Sequence, residues 1–193
     1  VNPVSGLRKS LKVYYEAKNL FEKSDFNTSL FVSEYPNHIK DYVSKIEKNR
    51  FDRIIVFGGD GSINEVVNGL NDSNKLKSFK IGVIPTGSGN SVAHDTGLLD
   101  VKEAISKSLG DNIIKMDLNQ VDFDSVSRLS VSVLGWGMFS YGNIRAEKLR
   151  LLGPIRYDVA SIITLLEKKI HKAEVEADGK LKLLECAFIV VCN

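Results

Sequence analysis

The chain has 193 residues, of which 43% are hydrophobic and 26% are charged, and its formal net charge at pH 7 is +2. This composition is ordinary for a globular protein that buries a core, and the small charge gives no indication of a nucleic-acid partner. No apolar run reaches the roughly 18 residues that a membrane-spanning helix requires.

The first 115 residues alternate between helical and strand patterns. Four segments show helical spacing of apolar residues, namely 7–21, 38–49, 62–70 and 101–109. Three show strand patterns, namely 28–33, 53–57 and 80–85. Residues 1–6 resemble the end of a strand whose start precedes the sequence. Strands that alternate with helices need crossover connections, so residues 1–115 are predicted to form an α/β domain with a parallel sheet.

The pattern changes after residue 115, where we place a domain boundary. The predicted elements are strands over 113–123 and 127–136, a helical insertion near 144–169, and a closing hairpin over 173–191. Asp178-Gly179 is the turn signal of that hairpin. The β-rich second domain, residues 116–193, ends on an apolar strand with no turn after it. We therefore expect an incomplete domain and a sequence that is a piece of a longer protein.

The two cysteines, Cys186 and Cys192, lie six positions apart in one apolar stretch. A strand separates such residues by about 20 Å, whereas a disulfide requires Cα atoms within about 7 Å. We therefore expect two free thiols, as is typical of a reducing, cytoplasmic compartment.

Two glycine-rich loops each follow a predicted strand. One contains FGGDGSINE, residues 57–65, and the other contains PTGSGN, residues 85–90. In an open α/β sheet, ligands bind beyond the carboxyl ends of the strands, so both loops and the N-terminal NPVSG should meet at one edge. Glycine lets backbone N–H groups approach phosphate oxygens, helped by the positive end of the following helix. Three such loops predict a nucleotide site.

The usual phosphate-binding motifs are absent from these loops. The pattern G-x-x-x-x-G-K-[ST] does not occur in the sequence. The dinucleotide pattern G-x-G-x-x-G fails because Val92 occupies the last position after Gly87 and Gly89. The combination of GGDGSINEVVNG with PTGSGN is far more specific than a single short glycine motif.

Three stretches, VNPVSG, FGGDGSINEVVNGL and IGVIPTGSGNSVA, closely resemble the diacylglycerol kinase catalytic family of lipid kinases. Residues 133–166 are most similar to its sphingosine and ceramide kinases, with Gly-aromatic-Gly followed by Glu-Lys, Leu-Gly and Arg-aromatic. The resemblance covers residues 2 to about 166. It implies a Rossmann-like ATP-binding domain and a β-rich lipid-binding domain. It also implies transfer of the ATP γ-phosphate to the hydroxyl of a sphingoid-type lipid, sphingosine or ceramide, with diacylglycerol as the alternative.

The resemblance assigns roles to individual residues. Asp60 matches the acid that acts as base on the lipid hydroxyl, and Arg150 and Arg156 match two arginines that reach the phosphates. The other expected nucleotide-binding residues are Asn2, Ser5, Gly6, Ser33, Gly58, Gly59, Gly61, Glu65, Thr86, Gly87 and Ser88. These residue types suit phosphoryl transfer, which depends on positioning and charge neutralisation. A carboxylate can take the hydroxyl proton, and arginine pairs phosphate in a bidentate fork.

The expected lipid head-group site departs from the family pattern. Sphingosine kinases carry two acids, separated by one residue, after the Gly-aromatic-Gly stretch, and the second acid faces the amino group of the lipid. Tyr141 and Asn143 occupy those positions here. An amide cannot form a charge-assisted pair with an amine, so ceramide and diacylglycerol stay open as substrates.

Magnesium is expected to arrive with ATP and to be held mainly by its phosphates, with Asp117 as a candidate protein ligand. His38, His94 and His171 have no metal-ligand spacing, so no dedicated metal site is predicted. A lipid substrate implies peripheral association of a cytoplasmic protein with a membrane surface.

Simpler interpretations of several of these residues stay open. Ser62 and Glu65 have the S-x-x-E spacing of a capping box, which is compatible with a nucleotide contact for Glu65. Asp60 alone would be interpreted as a turn acid, and Asp117 as a strand-edge acid. A solvated helix face is the alternative for four basic residues, Arg145, Lys148, Arg150 and Arg156.

Two other functions compete with a lipid kinase. NAD kinases share a GGDG loop on a similar fold, but they lack a match to the PTGSGN loop and to the segment with paired arginines. A non-catalytic, lipid-binding pseudokinase has no need of Asp60 or of intact glycine loops, although Asn143 is compatible with it. The sequence therefore favours an ATP-dependent lipid kinase.

Overall fold

The structure of the chain, a computed structural model, describes residues 1–167 and 169–192. Within these ranges the side chains of Phe139, Arg150 and Pro154 lie outside the description. The chain divides into two compact units, Val1–Ser132 and Val133–Asn193.

The first unit alternates helices with two parallel strands and ends in a β-hairpin. Its helices are α1 (Ser5–Arg8), α2 (Ser10–Glu22), α3 (His38–Lys45), α4 (Asp60–Asp72), α5 (Ser91–Asp95) and α6 (Val101–Leu109). Its strands are β1 (Arg53–Gly58), β2 (Lys80–Pro85), β3 (Asn119–Phe123) and β4 (Val126–Ser130). β1 and β2 pair in parallel, with Arg53 opposite Lys80 and Gly58 opposite Pro85. The predicted α/β alternation with parallel strands is confirmed.

Burial on both faces of β1 explains its continuously apolar sequence. Val56 packs into a cluster with residues of α3 and α4, among them the fully buried Leu70. Phe57 packs into a second cluster with residues of α2 and α6, among them Ile105. Successive strand residues point to opposite faces, so a strand covered by helices on both sides is apolar throughout. The glycine-rich loops follow where these covered strands end.

Residues 1–2 lie beside β1 as an extended segment. The Asn2 N–H donates to the Phe57 carbonyl oxygen at 3.0 Å, and the Ser33 N–H donates to the Val1 carbonyl oxygen at 3.0 Å. The prediction of a regular strand over 28–33 is wrong. In the described residues, the backbone hydrogen bonds that link this segment to the N-terminal segment involve only Val1. A strand needs a ladder of several consecutive pairs. Ser33 nevertheless lies next to Val1, near the end of β1.

Two asparagine side chains of α4 attach the β3–β4 hairpin to the first unit. The Asn68 carboxamide donates to the Leu129 carbonyl oxygen and accepts from the Leu129 N–H, both at 2.9 Å. One helical turn earlier, the Asn64 Oδ1 accepts from the Val131 N–H at 3.1 Å. The two side chains therefore take the place of a neighbouring strand for this part of the hairpin.

The compact units do not follow the predicted domain boundary. The sequence places that boundary near residue 115, whereas the first unit extends to residue 132 and includes the hairpin that α4 holds. The assignment of residues 1–115 to an ATP-binding domain and of residues 116–193 to a lipid-binding domain stays a prediction.

The second unit combines two antiparallel strand pairs with a helical segment. Its strands are β5 (Leu134–Gly137), β6 (His171–Ala177), β7 (Lys180–Cys186) and β8 (Phe188–Val191). Its helices are α7 (Met138–Lys148) and α8 (Arg156–Leu166), separated by a 3-10 segment, Arg150–Ile155. β5 pairs with β8, and β6 pairs with β7. Asp178 and Gly179 have φ values of 50° and 72°, the positive values that a two-residue type I′ turn requires, so the predicted hairpin turn is confirmed.

Some bounds in the second half of the chain differ from the prediction. The helical insertion begins at Met138 rather than near residue 144, because Gly137 ends β5 at a φ of 73° and the helix follows directly. The strand predicted over 127–136 is divided into β4 and β5. Cys186 and Cys192 are free thiols, as expected. Among the helices in the described part of the chain, none combines the length and the apolar character needed to cross a membrane.

The attachment through Asn68 predicts a stability effect that a neighbouring asparagine should not share. Asn68 is buried, and Asn68→Ala would leave the backbone groups of Leu129 without their partners. We expect a loss of about 1–3 kcal/mol in the free energy of unfolding, measured by urea denaturation. Asn71→Ala, on the exposed side of the same helix, is the control and should have little effect. Equal losses in both variants would mean that the hairpin does not depend on Asn68.

Candidate functional site

Three loops meet at the carboxyl ends of β1 and β2, within the first unit. The first loop contains residues 2–6, the second contains residues 58–61, and the third contains residues 86–90. The Asn2 Nδ2 donates to the Ser62 Oγ at 3.0 Å, which ties the first loop to the start of α4 just after the second. The Asn2 Oδ1 also accepts from the Val4 N–H at 3.2 Å, so this side chain shapes its own turn. The sequence-predicted Asn2 is therefore a structural link at this edge.

The first and third loops are joined by buried hydroxyl groups. The Ser5 Oγ lies 3.4 Å from the Thr86 carbonyl oxygen, to which it donates. The Ser10 Oγ donates to the Thr86 Oγ1 at 2.7 Å, and Ser10 is fully buried. Gly6 has a φ of 55°, and a side chain there would place its Cβ 1.9 Å from the Thr86 carbonyl oxygen. The first loop therefore packs backbone against backbone with the third.

The second and third loops touch through two glycines. A Cβ on Gly87 would lie 2.4 Å from the Gly59 Cα, and a Cβ on Gly59 would lie 3.0 Å from the Gly87 Cα. Real Cβ atoms essentially never approach another atom as closely as 2.4 Å, so the contact requires glycine at position 87, whereas a Cβ at position 59 would be tightly packed. Five of the predicted residues, Gly6, Gly58, Gly59, Thr86 and Gly87, are thus brought together by direct packing or by pairing of the strand ends.

Asp60 joins the second loop to the helix that follows the third. It is the first residue of α4, after Gly59 as N-cap. Its Oδ2 accepts from the Ser91 N–H at 3.0 Å, and its Oδ1 accepts from the Val92 N–H at 3.1 Å. The carboxylate therefore occupies the amino end of α5, where backbone N–H groups lack partners within the helix. Asp60 is more than a turn acid, because its bonds reach residues 31 and 32 positions away.

The amino end of α4 is the open part of this edge. The N–H groups of Asp60 and Gly61 lie in the first turn of a 13-residue helix, before helical N–H groups find internal acceptors. A Cβ on Gly61 would meet nothing within 4 Å, and Gly61 is exposed. The positive end of a helix with unoccupied space beside it can receive an anion such as a phosphate.

Glu65 and Ser33 lie on the side of this edge nearest to α3. The Glu65 Oε2 accepts from the Ile39 N–H at 3.1 Å, at the start of α3. The capping box proposed for Ser62 and Glu65 is wrong, because α4 begins at Asp60 and both residues lie inside the helix. Glu65 caps a different helix instead. Ser33 is buried, and its Oγ lies 3.5 Å from the Val1 carbonyl oxygen.

In the second unit, Arg156 is buried rather than part of a solvated face. It is 6% exposed, and its guanidinium donates to the Tyr157 hydroxyl at 2.8 Å and lies 3.4 Å from the Glu147 carboxylate. The side chain of Arg150 lies outside the described residues. Arg145 bonds to Thr164 and Glu167 within the unit, and its guanidinium lowers the pKa of the Glu167 carboxyl.

Tyr141 and Asn143 are both exposed residues of α7. The ring of Tyr141 stacks near His171, with centroids 5.9 Å apart, and the Lys169 ammonium lies 5.2 Å from the Tyr141 ring centroid. Asp117 is exposed in the stretch without regular secondary structure before β3. Across residues 1–167 and 169–192, no three His, Cys, Asp or Glu side chains form a group that could hold a metal ion.

Two residues that organise the loops are missing from the sequence-based assignment. No sequence pattern distinguishes Ser10 from the other residues of its amphipathic helix, and its role is evident only from its buried hydrogen bond to Thr86. Asn90 follows the assigned Ser88 by two positions and has a left-handed backbone with a φ of 57°. Asparagine is one of the few residues that adopt that conformation readily, so its position after Gly-Ser-Gly was an available signal.

Comparison with known proteins shows which family the sequence that forms this site belongs to. Residues 1–121 match the model of the diacylglycerol kinase catalytic domain, and this range includes all three loops. The chain belongs to the diacylglycerol kinase catalytic family. It is 32% identical to a ceramide kinase from Homo sapiens over 91% of this chain and 36% of that protein. It is 30% identical to sphingosine kinase 1 from Arabidopsis thaliana over 82% of this chain and 35% of that protein.

The chain thus spans about a third of the length of these curated relatives. A solved structure from Bacillus anthracis str. Sterne, of a protein assigned as a diacylglycerol kinase, superposes with a TM-score of 0.78. The superposition covers all of this chain and 64% of the Bacillus anthracis chain, and the two sequences are 22% identical. At that identity the likeness establishes the fold.

Glycines with open space beside them and glycines in backbone contact should respond differently to substitution by alanine. Gly61→Ala should leave the melting temperature unchanged or slightly higher, because its φ is not positive and its Cβ has space. If a phosphate approaches the Gly61 N–H, the added methyl group should weaken ATP binding by roughly 10- to 150-fold, the value of one charge-assisted hydrogen bond. Isothermal titration of the whole protein with ATP measures this change.

Gly87→Ala is the matched comparison, because its Cβ would collide with the Gly59 backbone. This variant should lower the melting temperature itself, unlike Gly61→Ala. A stable Gly61→Ala variant with unchanged ATP affinity would show that phosphate does not approach the open end of α4.

Proposed function

We propose that the whole protein is an ATP-dependent lipid kinase of the sphingosine and ceramide kinase branch. The observation that carries the proposal is Asp60, an acid at the junction of two glycine loops and beside the open amino end of a long helix. A phosphate site and a proton acceptor thereby lie within one residue of each other along the chain. Membership of the diacylglycerol kinase catalytic family supports ATP as the phosphate donor.

The second loop and α4 bind the polyphosphate in this proposal. Backbone N–H groups at Asp60 and Gly61 donate to phosphate oxygens, and the positive end of the 13-residue helix adds to the attraction. The rigid packing of Gly59 against Gly87 fixes the direction of these N–H groups. Phosphoryl transfer gains mainly from such positioning, so a preformed loop is an effective catalyst.

Asp60 accepts the proton of the lipid hydroxyl. An ionised carboxylate offers about four acceptor sites, and the two bonds from α5 leave room for a further hydrogen bond. As the hydroxyl oxygen bonds to the γ-phosphorus, the bond from that phosphorus to the bridging oxygen breaks and ADP leaves. The hydroxyl proton passes to Asp60.

Arg150 and Arg156 are proposed to reach the phosphates in the whole protein. This role rests on the resemblance, because within the second unit the Arg156 guanidinium is buried and contacts Tyr157 and Glu147. Magnesium would depend mainly on the phosphates of ATP, with Asp117 as a protein ligand, since the described residues offer no group of three metal-binding side chains.

A neutral head group is favoured over a charged amine. Tyr141 and Asn143 stand where the resemblance implies the lipid head group, and neither carries a negative charge. The Lys169 ammonium lies 5.2 Å from the Tyr141 ring centroid and is paired with the Glu167 carboxylate at 3.5 Å. Ceramide therefore ranks before sphingosine, and diacylglycerol is the alternative substrate. The lipid is proposed to be met by peripheral association with a membrane surface.

The first test measures phosphate transfer from labelled ATP to sphingosine, ceramide and diacylglycerol by the whole protein and by Asp60→Asn. We expect Asp60→Asn to lower kcat by roughly 10²–10⁴-fold, the usual contribution of a positioned base. ATP affinity should stay within a few-fold. Asp100→Asn controls for the loss of charge at a helix-capping carboxylate, because Asp100 accepts from the Glu103 N–H with one oxygen and asparagine caps equally well, whereas Asp60→Asn also loses one of its two bonds from α5.

Two outcomes would contradict this assignment. An Asp60→Asn variant that retains half of the wild-type kcat would remove Asp60 from the mechanism. A wild-type protein that phosphorylates none of the three lipids would remove the proposed function.

The second test concerns the head group. Asn143→Asp adds a carboxylate that can pair with the amine of sphingosine, so it should shift preference toward sphingosine over ceramide. A new charge-assisted contact is worth about 1.5–3 kcal/mol, or roughly 10- to 150-fold in the ratio of kcat/KM values. Equal ratios in the variant and the wild type would show that Asn143 does not face the head group.

A further inference from the structure

Asn90 closes the third loop with both ends of its side chain. Its Oδ1 accepts from the Gly87 N–H at 2.9 Å, and its Nδ2 donates to the Gly87 carbonyl oxygen at 2.9 Å. Its backbone is left-handed, with φ 57° and ψ 43°. The carboxamide therefore locks the turn from Gly87 to Asn90, and only a side chain with a donor and an acceptor can make both bonds.

The locked turn determines where the next two N–H groups point. Asn90 is the N-cap of α5, yet its side chain does not cap that helix. The Ser91 and Val92 N–H groups are instead satisfied by the two oxygens of Asp60. The backbone conformation at Asn90 thus aims the two donors that hold the Asp60 carboxylate.

The same side chain also supports the contact between the second and third loops. A Cβ on Gly87 would lie 2.7 Å from the Asn90 Oδ1, and a Cβ on Gly59 would lie 3.6 Å from it. The amide oxygen is therefore packed beside both glycines. Loss of the Asn90 side chain would remove packing beside Gly59 and Gly87 as well as two hydrogen bonds.

We propose that Asn90 is a positioning residue of the phosphoryl-transfer site, which sets the orientation of the Asp60 carboxylate through the Ser91 and Val92 N–H groups. The inference rests on the proposed function of Asp60 as the base. In this role Asn90 acts through Asp60 and not by contact with the transferred phosphate or the lipid. Its effect should therefore appear in the rate of transfer and much less in nucleotide affinity.

The test compares Asn90→Gly and Asn90→Ala in the whole protein. Glycine keeps the left-handed backbone and removes only the side-chain bonds, whereas alanine also strains the backbone. A displaced catalytic group can cost about 10²-fold, so we expect kcat to fall roughly 10- to 100-fold in Asn90→Gly and further in Asn90→Ala. The ATP dissociation constant should change by about threefold or less in Asn90→Gly.

Asn74→Gly is the matched control. Asn74 is another left-handed asparagine, with a φ of 54°, and it follows the opposite end of α4 from Asp60. This variant should keep the wild-type kcat. A helix of this length spans about 20 Å, so the control lies far from the loops.

A second readout does not depend on turnover. Hydrogen–deuterium exchange of the whole protein, without nucleotide or lipid, follows the peptide that contains Ser91 and Val92. Asn90→Gly and Asp60→Ala should both speed exchange of these N–H groups, because each removes one end of the chain of bonds. Asn74→Gly should not.

The outcomes separate this inference from the proposed function. A wild-type-like kcat and exchange rate in Asn90→Gly would overturn the positioning role, and so would a loss of ATP affinity as large as the loss of kcat. A wild-type protein without lipid kinase activity would instead overturn the proposed function, while the exchange result would still report on the link from Asn90 to Asp60.

Discussion

The pair of hydrogen bonds that the Ser91 and Val92 N–H groups of α5 donate to the Asp60 carboxylate is the interaction on which the arrangement of the site depends. It joins segments that are about 30 positions apart in the chain, at the level where the parallel strands end. The loops on either side contribute little side-chain bulk, and Gly59 and Gly87 leave their backbones in contact. A carboxylate is well suited to this junction because its two oxygens can serve two adjacent donors at once.

Helix α4 organises the first unit around that junction. Its first residue is Asp60, its first turn receives Asn2 through Ser62, and Glu65 caps α3. Its later turns hold the hairpin through asparagine side chains. Four neighbouring segments are therefore fixed by polar side chains of a single helix, while its apolar side joins the core with β1. The position of the acid follows from the position of the helix, which is set by packing on the sheet.

Sequence reasoning captured the features that depend on local chemistry. The continuously apolar β1, the glycine loops after β1 and β2, and the Asp178-Gly179 turn each carry their physical cause in neighbouring residues. One error concerns partners that are distant in sequence, whereas the errors in the bounds of β4, β5 and α7 are local. Ser62 and Glu65 have the spacing of a capping box, but the acid finds the N–H of Ile39 instead. No local sequence pattern predicts this hydrogen bond from Ile39 to Glu65, because it depends on where α3 packs.

The asparagine bonds from α4 to Leu129 and Val131 also bear on how the protein avoids unwanted association. A strand at the edge of a sheet normally presents free N–H and C=O groups that another chain can pair with. Here those groups of the hairpin are already satisfied by carboxamides, which copy the donor and acceptor pattern of a strand without extending the sheet. The hairpin is therefore closed to further strand addition at these residues. The helix that begins with Asp60 thus also covers this part of the hairpin.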